Sequence, residues 1–198
     1  MKQATFLAIV LGLFTSFACA DGQNLPALYN VSNVATNDTL NVRRAPSGSA
    51  DIVVKFPHNA LNVEIIKLSP NGRWGMTNVG EGTGWLSMAY LERQSGQRGF
   101  PKLNHCYGTE PFWNLRFERA TLVLDDLGAE AHRASPLWRT GSANVTNVFG
   151  FGASDMHAVL IRETCHDGMS DREFGYRVEL LQGNGPGTRM VSGCCSLN

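Results

Sequence analysis

Cysteine is absent from residues 20 to 105, so no disulfide can tie that stretch to itself, and all four cysteines beyond Ala20 fall later in the chain. A charge excess is also missing, because 17 basic side chains face 17 acidic ones. Without a basic surplus, the electrostatic attraction that drives binding to nucleic acid or to anionic lipid has no source. No heptad and no long helical period occurs, which excludes coiled coils and helical bundles as the main architecture. Beyond the first twenty residues no apolar run is long enough to span a bilayer, a task that takes roughly 20 residues. Several catalytic and metal signatures are lacking too. There is no Gly-x-Ser-x-Gly elbow, no CxxC spacing of the kind zinc sites show, no calcium loop of repeated Asp/Asn ligands ending in Glu, and no methionine cluster of the kind that holds copper. We therefore expect no metal and no cofactor.

What is present begins with Lys2, an apolar run from Phe6 to Phe14, and Ser16-Phe-Ala-Cys-Ala20 ending in an Ala-x-Ala pattern before Asp21. This reads as a secretory signal peptide, residues 1–20, cleaved after Ala20. Lipidation at Cys19 is the competing reading, and Ser16 stands where lipoprotein signals usually place Leu. Loss of the signal removes Lys2 and leaves one negative charge in excess. The expected location is periplasmic or secreted. In an exported chain, Cys106, Cys165, Cys194 and Cys195 form an even set that favours disulfides. Adjacent cysteines are held about 3.8 Å apart, whereas bridged Cα atoms usually lie about 4.4–6.8 Å apart. Cys106 and Cys165 are thus each expected to join one member of the C-terminal pair, in either combination.

Short alternating segments separated by turn residues point to an all-β chain. The cysteine asymmetry divides it into two units: residues 21–93, with a core from 27 to 93, and residues 101–198. Arg93-Gln-Ser-Gly-Gln-Arg-Gly-Phe-Pro101 is polar and glycine-rich, so 94–100 reads as a linker. In the first unit Leu28 to Val34, Thr39 to Val42, Ile52 to Phe56 and Leu61 to Ile65 read as strands. So few short strands in so short a unit close most economically as a small barrel. In the second, Asn114 to Phe117 and Ala120 to Leu124 flank a hairpin. Val145 to Phe151, Ala158 to Glu163, Gly175 to Leu181 and Thr188 to Ser192 supply further strands, which predicts a second, disulfide-bonded antiparallel barrel.

Leu40-Asn-Val-Arg43 with Pro46-Ser47, then Asn71-Gly-Arg-Trp74, Gly84-Trp85-Leu86 and Tyr90-Leu91, resembles a bacterial SH3-type domain over residues 27 to 93. The resemblance implies a small barrel that binds a cell-wall peptide or another envelope ligand beside the loop after the Asn-Val-Arg strand. Alternation sends Leu40 and Val42 inward and Asn41 and Arg43 outward. Val42, Trp85 and Leu86 are expected in or near the core. Asn41, Arg43, Trp74 and Tyr90 are the expected ligand-binding residues, Arg43 through a fork on a carboxylate and the aromatic pair through flat faces. In the second half, Cys106-Tyr-Gly-Thr-Glu-Pro-Phe-Trp113, Cys165-His-Asp-Gly-Met-Ser-Asp-Arg172 and Ser192-Gly-Cys-Cys195 resemble uncharacterised envelope proteins of Gram-negative bacteria. That resemblance implies fold and compartment only.

A candidate second site comprises Glu110, Trp113, Asp167 and Asp171. The run Asp167-Gly-Met-Ser-Asp171 concentrates carboxylates and a hydroxyl in one loop, a common setting for binding, although such residues also hold tight turns through backbone amides. Glu110 either pairs with Arg116 or Arg172 or faces a pocket lined by Phe112 and Trp113. A glycosidase reading would need Glu110 and Asp171 within about 5 to 9.5 Å of each other. The sequence thus predicts a non-enzymatic protein that binds a peptidoglycan peptide or an envelope protein. Its alternatives are an inhibitor or chaperone-like partner of an envelope hydrolase, acting through the second unit, and a cell-wall hydrolase.

Overall fold

The computed structural model describes residues 24–126 and 130–198. The expected signal peptide and Cys19 lie outside the described residues. The chain is all-β: seventeen strands and one 3-10 turn, Met88–Tyr90, with no α-helix among the described residues.

The first unit contributes β1 (Ala27–Val31), β2 (Thr39–Arg43), β3 (Ile52–Pro57), β4 (Val63–Ile65), β5 (Lys67–Leu68), β6 (Trp74–Val79), β7 (Gly82–Ser87) and β8 (Leu91–Arg93). They pair as a five-stranded sheet, β3-β2-β7-β6-β5, and a three-stranded sheet, β4-β1-β8. The two sheets enclose one core built from Ala27, Tyr29, Val31, Leu40, Val42, Val63, Ile65 and Leu86. Period-two alternation explains this membership, since every core residue on β1, β2 and β4 stands at an inward position. The first strand stops at Val31 rather than Val34, because Asn33 adopts a left-handed φ of 58° that ends pairing.

The second unit contributes β9 (His105–Thr109), β10 (Phe112–Glu118), β11 (Thr121–Asp126), β12 (His132–Ala134), β13 (Trp138–Gly141), β14 (Val148–Ala153), β15 (Met156–Ile161), β16 (Tyr176–Gln182) and β17 (Arg189–Ser196). They form one nine-stranded antiparallel sheet in the order β12-β11-β10-β9-β17-β16-β15-β14-β13. The sheet curls, so that Phe117 of β10 meets Phe151 of β14 with ring centroids 5.2 Å apart. Its edge strands β12 and β13 are not hydrogen-bonded to each other. Leu115, Leu122, Phe151, Leu160, Val178 and Leu180 lie fully buried in the interior. Alternation had not marked β9, β12 or β13. Every residue of β13 is exposed, so no apolar period distinguishes it.

The disulfides join Cys106 to Cys195 and Cys165 to Cys194, one of the two combinations left open. Cys106 and Cys195 are directly opposed on β9 and β17. Close packing beside them depends on Gly193, where an added Cβ would sit 2.2 Å from the Tyr107 carbonyl oxygen and 2.6 Å from Trp113.

The two units are pressed together. On β1, Leu28 alternates away from the first core, yet it is buried because it inserts into the core of the nine-stranded sheet. Glu64, opposite Leu28 in register, shares that face and is buried with it. The segment expected as a linker is held to β1 at two points: Gln94 N donates to Leu28 O, and Gln97 both accepts from Leu28 N (2.7 Å) and donates to Leu28 O (2.8 Å). At its end Phe100 makes edge contacts with Phe149 and Phe151.

Candidate functional site

Asn41, Arg43, Trp74 and Tyr90 line one hollow of about 460 Å³ on the first unit. Its remaining wall includes Asn33, Val34, Asp38 and Ser87. Each of the four is placed by a local device. Asn41 and Arg43 project from the outward face of β2, while Leu40 and Val42 anchor the strand in the core. Arg43 donates through Nη1 to the Ala50 carbonyl at 2.7 Å, which orients the guanidinium and ties the following loop to the strand. That loop is closed further by Arg44 N donating to Asp51 O.

Trp74 opens β6 after a turn in which Asn71 accepts from Ser69 Oγ and Arg73 N, and Gly72 takes the left-handed φ of 68° that the turn requires. Ser69 Oγ also accepts from Trp74 N at 3.1 Å. The indole is half-buried and partly open to the hollow. Tyr90 ends the 3-10 turn, its carbonyl accepts from Ser32 N, and its side chain is 42% exposed. Asp38, whose carboxylate accepts from Thr39 N, adds an acidic group to the rim opposite in sign to Arg43. Asp38, Asn33 and Ser87 were missed in the sequence. Asn33 fell within the expected strand Leu28 to Val34, and Asp38 and Ser87 directly flank Thr39 and Leu86, which were marked for the fold alone.

Trp85 lies outside the core cluster. It is half-buried and lies beside Arg43 in register, on the outward row, while its neighbours Gly84 and Leu86 are buried. An added Cβ at Gly84 would lie 2.4 Å from Val42 Cγ1, so the strand takes glycine and Leu86 inward and must turn Trp85 out.

The second candidate set does not converge. Trp113 is 3% exposed and packs in the core of the nine-stranded sheet. Glu110 and Asp167 border a depression of about 400 Å³ beside the Cys165–Cys194 disulfide, which neither Trp113 nor Asp171 lines. The arginines weighed as partners for Glu110 are engaged elsewhere. Arg116 pairs with Glu118 and Asp125, and Arg172 stacks over Phe174. Asp171 instead meets the first unit, its backbone N donating to Glu81 O at 2.9 Å.

Asp167 holds its own loop. It accepts from Met169 N, Ser170 N, Ser170 Oγ and the Tyr107 hydroxyl. Desolvation pushes its pKa up, but the hydrogen bonds from Ser170, Met169 and Tyr107 outweigh it and hold the carboxyl below its ordinary range. The turn-holding reading of this loop accounts for both of its carboxylate oxygens.

No grouping of three or more His, Cys, Asp or Glu side chains suited to a metal ion occurs among the described residues. Nor does any described helix have the length and apolarity to cross a membrane. No family model, no curated protein and no solved structure matches the chain.

Proposed function

We propose that this is an exported, non-enzymatic binding protein whose first unit is an SH3-type module holding a cell-wall peptide, or a peptide segment of an envelope protein, in the hollow of Asn41, Arg43, Trp74 and Tyr90. The observation that carries the reading is the convergence of these four side chains, drawn from β2, β6 and the 3-10 turn, on one hollow. Its chemistry suits a short peptide. Arg43 offers a fork to a carboxylate, Asp38 offers an acceptor to an amine, Asn41 matches backbone amides, and Trp74 with Tyr90 supplies flat surface at low entropic cost. Two disulfides in a chain this small fit an oxidising compartment and thus export.

Co-sedimentation of the purified chain with peptidoglycan at low salt tests the reading. Wild type is expected in the pellet, and Trp74→Ala should lose about 1–3 kcal/mol of affinity, a weakening of about 5- to 150-fold. Wild type remaining in the supernatant removes the cell-wall ligand.

A further inference from the structure

A second groove, of about 540 Å³, is lined by residues of both units and shares none with the first hollow. Arg93, at the end of β8 in the first unit, and Arg162, just after β15 in the second, both line it, as does Arg98. No carboxylate is among its described lining residues. Arg93 and Arg162 are held in place rather than left to solvent. Arg93 donates through Nη2 to Asn24 O at 2.9 Å. Arg162 lies over the Phe149 and Tyr176 rings, at 5.2 and 5.8 Å, and donates through Nε to the Tyr176 hydroxyl and through Nη1 to Thr146 O. Those bonds use Nη2 of Arg93 and Nε and Nη1 of Arg162, and five N–H donors per arginine leave further N–H groups for another acceptor.

Like charges brought from separate units to one groove repel each other, and a guanidinium fork matches carboxylate or phosphate oxygens in geometry. The volume is in the range of small-ligand sites. Val145 and Phe149 add apolar surface beside the charges. We propose that this groove is an anion site, which takes a ligand presenting carboxylate or phosphate oxygens to Arg93 and Arg162 with a less polar body against Val145 and Phe149. The site is independent of the peptide hollow, and it spans the seam between units, so an occupied groove also braces one unit against the other.

The test is an NMR titration of the purified chain with inorganic phosphate and, separately, acetate, at constant ionic strength with sodium chloride as reference. The Arg93 and Arg162 Nε–H signals and the Gly96 and Ser142 amides report on the groove. Saturable shifts are expected, with half-saturation on the order of 1 mM. Arg162→Gln and Arg93→Gln should each weaken binding about tenfold, the loss of one charge-assisted contact, whereas Arg43→Gln should leave it unchanged. Tighter phosphate binding assigns a phosphoryl ligand, and equal or tighter acetate binding assigns a carboxylate. Shifts that chloride reproduces, no saturation for either anion, or full affinity in both glutamine variants would overturn the proposal. If Arg162→Gln fails to fold, Arg93→Gln in the other unit decides alone.

Discussion

The first unit has no covalent cross-link and an open hollow, whereas the second has two disulfides, a larger core and its most distinctive loop occupied in holding itself. The difference separates two ways of stabilising a small β structure. In the first unit, two sheets close on a core of eight buried residues and leave outward side chains free to meet a ligand. In the second, Cys165–Cys194 and the Asp167 hydrogen bonds fasten a long loop that no strand ladder carries. Motif density therefore accompanies an open hollow in one half and local construction in the other.

Reduction should break this contrast most severely. The bridges close loops of 89 and 29 residues, and in the chain-entropy model their loss costs about 4 to 5 and about 3 to 4 kcal/mol. Under a reductant, the second unit should unfold at lower denaturant while Trp74 and Tyr90 keep their native NMR shifts. Simultaneous loss in both units would mean that the seam, through Leu28 and Glu64, couples them into one cooperative block.

Glu64 examines that coupling directly. Burial raises its pKa from 4.5 to about 7, against the opposing pull of the Leu197 amide, Arg172 and the Asn198 amide. A glutamate with a raised folded-state pKa is most favourable to folding below its unfolded value, and that contribution is lost as pH rises through about 7. The loss approaches about 3 kcal/mol at higher pH. Urea melts at pH 5 and pH 9 should show this decline in wild type, and Glu64→Gln should flatten it. An unchanged slope in Glu64→Gln would locate the pH dependence elsewhere.

Close-packed glycines sharpen the comparison between the units. Alanine at Gly193 would place Cβ against the Tyr107 backbone and the Trp113 ring, neither of which can yield easily, for a cost of about 3 kcal/mol. At Gly84 the obstacle is the Val42 side chain, backed by Val53, and a small repacking should limit the cost to about 1–2 kcal/mol. Denaturation midpoints of Gly193→Ala and Gly84→Ala decide the order, and the reverse order would make the first unit the more tightly packed.

How far the sequence was readable follows the same division. Asn41 and Arg43 could be assigned outward because β2 obeys strict alternation with one face buried, and the turn residues around Trp74 were recognisable by chemistry. The all-β class and the pairing of Cys106 and Cys165 with the C-terminal cysteines were legible for comparable local reasons. Leu28 and Glu64 were not, since their burial depends on a second unit covering a face that period two assigns to solvent. Trp113 was ambiguous because an aromatic beside Glu110 reads equally as pocket or core, and the room for the indole comes from Gly108 on β9 and Gly193 on β17, whose missing side chains it packs against.

The weakest effect concerns what fastens the seam. Lys67 pairs with Glu173 at 2.6 Å, but the lysine is 45% exposed and its partner 19%. Solvent screening should hold the cost of Lys67→Ala to at most about 0.5 kcal/mol. Asn78 contacts the same residue differently, donating to the Glu173 carbonyl at 2.8 Å and accepting from its N–H at 3.1 Å. Those two bonds satisfy part-buried backbone, so Asn78→Ala should cost more, about 1–2 kcal/mol. Urea melts of the two variants at low and high salt separate the contributions: Asn78→Ala should be the more destabilising at both. If Lys67→Ala costs more and its effect disappears in high salt, long-range charge rather than backbone hydrogen bonding joins the units, and the second unit's fastening extends to its neighbour by electrostatics.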